Sequence, residues 1–241
     1  MLDHISPEKI LFLDIETVPA APVFEDLPER IQALWLKKAL YISRENETPE
    51  EAYGRAGIYA EFGKIVCVSA GLYRRKGTEG TLRLKSFFGD DEKEILTGFS
   101  GLLQDLSGKG AWSLCAHNGK EFDFPYLARR MLINGLRLPS LLDMAGKKPW
   151  EVPFLDTMEL WKFGDYKHYT SLDLLAAIFG IPTPKDDIDG SRVAHTYYEE
   201  KNLEKITRYC EKDVLTVVQI FLRFQGKPLV RDENISSATL F

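Results

Sequence analysis

The spacing of apolar and polar residues changes period along this chain, and each change marks an element. Lys9 to Ile15 is a short apolar run behind Pro7 and predicts the first strand. From Phe24 to about Ala60 the period lengthens. PERIQALWLKKAL and EEAYGRAGIYA both space their apolar residues as helices do, with the polar stretch Ser43 to Glu50 between them. They predict a helical insertion between the first two strands. Strand character returns at Lys64 to Tyr73 and Thr81 to Phe88, an antiparallel pair turned by RRKGTEG. Asp90 is placed to cap a helix running to about Leu106, and AWSLCAHN then reads as a short apolar strand. A further helix over about Glu121 to Asn134 stops at Gly135.

The second half is less regular. Either Leu138 to Leu142 or Glu151 to Leu155 supplies a fifth strand, and Asp156 caps a short helix through Trp161. Ser171 opens a helix that Gly180 and Pro182 terminate. From Ser191 to about Phe224 apolar positions keep helical spacing, with Leu203, Ile206, Cys210, Val214, Val217 and Phe221 forming a stripe that must press against the sheet. Only the tail RDENISSATLF looks weakly structured. Strands followed by helices, with an antiparallel pair early, predict an α/β fold with a mixed central sheet.

Composition narrows the class. At 241 residues and 44% apolar, the chain suffices for one domain over residues 1–241 that includes the 24–60 insertion. No run of about 18 apolar residues is present to cross a membrane. The start MLDHISPEKI lacks the apolar stretch of a secretory signal, so the expected location is the cytoplasm. Cys67, Cys115 and Cys210 sit far apart in apolar segments and read as reduced core residues. The net charge of -5, from 36 acidic and 31 basic residues, argues against broad coating of duplex nucleic acid. It is compatible with an acidic site that cations offset.

That acidic site is the chemical signal. Asp14 and Glu16 lie two apart on the first strand and share a face. Tyr209 and Asp213 lie four apart on the last helix and stack one above the other. Asp123, near a helix start in HNGKEFDFPYL, supplies another carboxylate. Clustered carboxylates repel unless cations or protons separate them, so the set reads as a Mg2+ or Mn2+ site serving phosphate chemistry. Two divalent cations about 4 Å apart would hold a scissile phosphate, one readying a water and the other taking up charge on the leaving oxygen. Asp14 is best placed to bridge them. Tyr209, with an ordinary pKa of about 10, suits orienting the water more than deprotonating it.

Neighbouring residues have two readings each. Asn118 can bond a nucleotide or simply make an Asn-Gly turn, and Lys120 can meet a phosphate or face solvent. Phe122 and Phe124 can stack on a base or pack the core. His117 can support the site or be a satisfied core histidine. Asp156 with Thr157 is either part of a nuclease motif or a helix cap. Trp35 and Tyr53 in the insertion can stack on bases or belong to a core stripe.

LFLDIET, HNGKEFDFPYL and YCEKD together resemble the three exonuclease motifs of the DEDD superfamily, which has a ribonuclease-H-like fold. The resemblance is strongest to the tyrosine-bearing branch that includes the proofreading domains of family B DNA polymerases. Its histidine-bearing sister branch has histidine where this chain has Arg208. The likeness runs from about Lys9 to Phe224, apart from the helical stretch before Tyr59, and implies a stand-alone bacterial-type relative. It implies metal ligation by Asp14, Glu16, Asp123 and Asp213, catalysis by these four and Tyr209, and substrate contacts from Ile15, Asn118, Lys120 and Phe122. Glu16 and Asp213 would complete the site of the water-activating ion, and Asp123 would serve the second ion directly or through water. The implied activity is 3'-5' exonuclease cleavage, most of all of single-stranded DNA, releasing nucleoside 5'-monophosphates from a free 3' end. A noncatalytic nucleic-acid binding module on the same fold, a related endonuclease and a nucleotide hydrolase remain as alternatives.

Overall fold

Strand β1 (Ile10–Pro19) is the axis of the molecule, and its period of two sorts the core into two layers. The computed structural model describes residues 2–77, 79–165, 169–182 and 188–241. After β1 come α1 (Glu29–Ile42) and α2 (Pro49–Tyr53), then the antiparallel pair β2 (Gly63–Lys76) and β3 (Glu79–Phe88). Helix α3 (Glu92–Ser107), β4 (Ser113–Ala116) and α4 (Asp123–Ile133) follow. The remainder is β5 (Leu155–Asp156), α5 (Thr157–Lys162), α6 (Leu172–Ile178), α7 (Val193–Tyr198), α8 (Leu203–Phe224) and β6 (Ile235–Ser237).

The strands form one mixed sheet in the order β5-β4-β1-β2-β3-β6. β2 runs antiparallel to both of its neighbours, β1 and β3, while β4 runs parallel to β1, β5 to β4 and β6 to β3. Leu11, Leu13 and Ile15 face a layer built with Leu96, Phe99, Leu103, Leu127 and Met131 of α3 and α4. Ile10 and Phe12 face Val214, Val217, Val218 and Phe221 of α8. The mixed α/β sheet flanked by helices, with a helical insertion after the first strand, is the ribonuclease-H-like topology expected from the sequence. Among the described residues, no helix is long and apolar enough to cross a membrane.

Several local expectations change. β1 continues past Ile15 to Pro19, with a register shift between Glu16 and Thr17, so the acidic pair lies within the strand and not at its end. Asp91 caps α3 by accepting from the amides of Lys93 and Glu94, while Asp90 accepts from the Tyr197 hydroxyl. The long C-terminal helical stripe is two helices. Lys201 adopts φ 50° and the Asn202 side chain accepts from the Lys205 amide, restarting the helix as α8. Leu138 to Leu142 forms no strand, and β5 supplies the fifth. The tail is ordered, since β6 pairs with Leu82–Leu84 of β3.

One buried carboxylate ties the frame beside β1. Glu92 accepts from the Ile65 amide at 2.7 Å and from the Arg130 guanidinium at 2.8 and 2.5 Å, locking α3, β2 and α4 together. Cys67, Cys115 and Cys210 are free and buried, as read from the sequence. The insertion has a small core of its own. Trp35 is fully buried, packs edge-on to Tyr53 and Phe62, and donates its indole N–H to the Pro49 carbonyl at 2.7 Å. Both Trp35 and Tyr53 are thus core residues. Trp35→Ala should cost about 3–5 kcal/mol in urea unfolding, whereas Leu40→Ala, at a residue 79% exposed, should leave the midpoint unchanged.

Candidate metal centre

β4 is the short strand that makes room for the site. It pairs only with Ile10 to Phe12 of β1, so Asp14 and Glu16 project from a stretch of β1 that β4 no longer flanks. Both continue the Ile10 and Phe12 series toward α8. There the ligand atoms of Asp14, Glu16 and Cys210 come within 4.8 Å of one another. Cys210 donates its thiol to Asp14 Oδ2 at 3.3 Å and to the Asp14 carbonyl at 3.4 Å. Sequence reading took Cys210 as core only. It is buried, but its place directly after Tyr209 also sets it against the acidic pair.

Asp123 arrives from the other layer. It is the first residue of α4, and its carboxylate accepts from its own amide and from the Ile15 amide of β1. Its Oδ1 is buried with no hydrogen-bond partner among the described residues. Asp213 lies one turn after Tyr209 on α8, and the Tyr209 hydroxyl bonds it. Both line, with Asp14 and His117, a cleft of about 780 Å³.

Electrostatics shows that these groups converge. Burial holds the Asp14 carboxyl well above its ordinary pKa, and the charges of Asp123, Glu16 and Asp213 push it further. Glu16 is raised by burial, then by Asp213, Cys67 and Asp123. Asp123 is pushed up to about 7, chiefly by burial and then by the charge of Asp156. Burial and the neighbouring carboxylates also raise Tyr209, which therefore stays a phenol at neutral pH.

The turn that delivers Asp123 is fastened by Asp156. Its carboxylate accepts from the amides of Asn118 (2.9 Å) and Lys120 (3.1 Å) while capping α5 through Met158 (2.9 Å) and Glu159 (3.3 Å). The expected cap is present, and its hold on the turn is additional. Asn118 takes φ 59°, and a Cβ at Gly119 would lie 2.5 Å from that of Ala116, so the turn needs this Asn-Gly pair. The Asn118 side-chain oxygen is buried with no hydrogen-bond partner among the described residues. Lys120 extends to Glu159 at 2.5 Å. Phe122 packs on Tyr126 and Phe124 on Phe154, and Ile15 sits in the core. His117 bonds Thr157 Oγ1 at 2.9 Å and the Thr170 carbonyl at 2.8 Å, as a supported, half-buried histidine.

These residues fit a divalent cation. The carboxylates of Asp14 and Glu16 lie together beside Cys210, burial and the charges of Asp123 and Asp213 oppose their ionisation, and one Asp123 oxygen lacks a partner among the described residues. The family model for predicted 3'-5' exonucleases related to the exonuclease domain of PolB matches residues 58–233. The chain belongs to this family. The matched stretch contains Asp123, Tyr209 and Asp213, whereas Asp14 and Glu16 precede it and join the set through the fold. Among solved structures, the family B DNA polymerase from the hyperthermophilic archaeon Pyrobaculum calidifontis is similar, with TM-score 0.56 and 15% identity over 90% of this chain. The chain spans 24% of that polymerase, and the likeness is one of fold.

Titration of the family member should expose the repulsion. Asp14, Glu16 and Asp123 hold protons more tightly folded than unfolded, so their stabilisation is complete below the ordinary carboxylate pKa and is lost as pH rises through the folded values, about 7 for Asp123. In chelator, the melting temperature should fall between about pH 4 and about pH 8, with a shallower fall for Asp123→Asn. Mg2+ or Mn2+ should restore more at about pH 8 than at about pH 5. A melting temperature in chelator that climbs across that window would contradict the reading.

Proposed function

We propose that the chain is a metal-dependent 3'-5' exonuclease that removes nucleoside 5'-monophosphates from the free 3' end of DNA, single strands first. The observation that carries this is the raised pKa of Asp14 and Glu16, pushed up by burial and by the charges of Asp123 and Asp213, together with a buried Asp123 oxygen that has no hydrogen-bond partner among the described residues, a set of oxygens built to be neutralised by cations. Membership of a family described by its relation to the exonuclease domain of PolB supports the direction of cleavage and the choice of DNA.

In this reading Asp14, Glu16, Asp123 and Asp213 would hold two Mg2+ or Mn2+ ions. The ions would supply an activated water and charge neutralisation at the scissile phosphate and the leaving 3'-oxygen. Asp123, fixed by the Ile15 amide and by the turn that Asp156 holds, sets the position of the α4 side of the site. Tyr209 keeps its proton and bonds Asp213, which leaves its phenolic oxygen oriented to accept from a water at the carboxylate edge. Asn118 offers its buried side-chain oxygen to the terminal nucleotide. A noncatalytic module would have little use for all four carboxylates.

End-labelled oligonucleotides test the reading. Wild type with Mg2+ or Mn2+ should give a ladder shortening from the 3' end, faster on single-stranded DNA than on duplex DNA or RNA of the same sequence. Asp14→Asn and Asp213→Asn should each lower the rate by roughly three orders of magnitude, the scale of several kcal/mol of lost charge stabilisation. Tyr209→Phe should slow cleavage roughly tenfold with little change in metal affinity. Scattered internal cuts would point to an endonuclease, and near-normal cleavage by folded Asp14→Asn would end the assignment.

A further inference from the structure

Behind the metal centre, helix α8 and the C-terminal tail meet at one buried carboxylate. Glu211 lies between Tyr209 and Asp213 in sequence but about 200° round the helix from Tyr209, so it faces away from the cleft. Its Oε1 accepts from the hydroxyls of Ser86 (3.0 Å), Ser237 (2.8 Å) and Thr239. Ser86 on β3 is the register partner of Ser69 on β2, with their hydroxyls 2.7 Å apart. Ser69 in turn is the register partner of Asp14. A row of hydroxyls therefore crosses the sheet from the strand position beside Asp14 to the back of α8.

The tail is fastened at several further points. Ala238 donates to the Leu84 carbonyl at 2.9 Å, and the Ser86 amide donates to Thr239 Oγ1 at 2.9 Å. Phe241 packs against Phe88 and beneath the Arg208 guanidinium, at 5.6 and 4.6 Å between centres. The family match ends at residue 233, so this tail lies beyond it.

We propose that Glu211 is a positioning residue: with Ser237 and Thr239 it fixes the rotation and depth of α8, so that Asp213 stays within reach of Asp14 and Glu16 against their repulsion. The inference rests on the metal-dependent reading of the site and adds the tail to the elements that build it. Anchoring α8 down onto β3 and β6 is needed because like charges on the cleft side push α8 off β1 whenever the centre is empty. Hydrogen bonds to a buried carboxylate supply such a hold with fixed direction, which apolar packing alone does not.

The test is Mn2+ binding to the full chain, followed by electron paramagnetic resonance of free Mn2+, with cleavage of a 3'-labelled oligonucleotide measured alongside. Glu211→Gln, Thr239→Val and the double variant are compared with wild type. Each single variant should weaken Mn2+ binding about tenfold, the usual scale for a residue supporting metal ligands. Melting temperatures in chelator should stay within about 3 °C of wild type. The double variant should lose less than the sum of the two single losses, because Thr239 and Glu211 bond each other. Cleavage should fall at limiting Mn2+ and recover at saturating Mn2+. Unchanged Mn2+ affinity in folded variants would overturn the proposal, as would losses that add or simply follow the melting temperature. If Glu211→Gln does not fold, Thr239→Val alone decides by the same affinity readout. Wild type that binds Mn2+ without cleaving would remove the exonuclease reading and leave the positioning role to be judged on affinity. Wild type that binds no Mn2+ would overturn both.

Discussion

Three carboxylates held where burial and neighbouring charges oppose ionisation form the constraint on which the rest of this structure depends. Moving even one carboxylate out of water costs several kcal/mol after relaxation, and Asp14, Glu16 and Asp123 are each raised by burial first and by neighbouring negative charges after it. A fold does not collect such groups without a compensating cation or a scaffold stiff enough to resist them. The buried Asp123 oxygen with no partner among the described residues makes the same point from hydrogen bonding.

The scaffold meets this constraint by spreading the carboxylates over elements fixed independently. β1 is locked by register on both sides, to β2 along most of its length and to β4 over Ile10 to Phe12. The α4 side is held by Asp156 at the turn and by the Glu92–Arg130 pair further along the helix. The α8 side is packed through Val214, Val217 and Phe221 and bonded from behind through Glu211. Because each hold is separate, no single loop carries the geometry. Sites on strands and helices keep their spacing better than sites on loops, which suits chemistry that depends on the distance between ligands.

Much of this was legible along the chain. The strand period put Asp14 and Glu16 on one face, and the helix period put Tyr209 above Asp213. Asp156 and Ser171 announced the caps of α5 and α6, and each does cap its helix. Other features were only half visible. Asp90 and Asp91 are equally good caps by type, and the Tyr197 hydroxyl from far along the chain occupies the first. Asn202 before Leu203 was a usable cap signal, but the apolar stripe running through Ser191 to Phe224 hid the break before it. Ser237 and Thr239 looked like ordinary tail residues because their acceptor, Glu211, is remote in sequence.

The sequence by itself determined which residue types the site would use and which of them share a face, because side-chain direction within a strand or helix follows from local backbone geometry. Only the tertiary structure decided that β4 stops at Ala116 while β1 runs on to Pro19, that Cys210 borders the acidic pair, and that the tail grips the back of α8. Each of these depends on where one element ends relative to another distant in the chain. Register and burial are settled by packing between such elements, which no local pattern encodes.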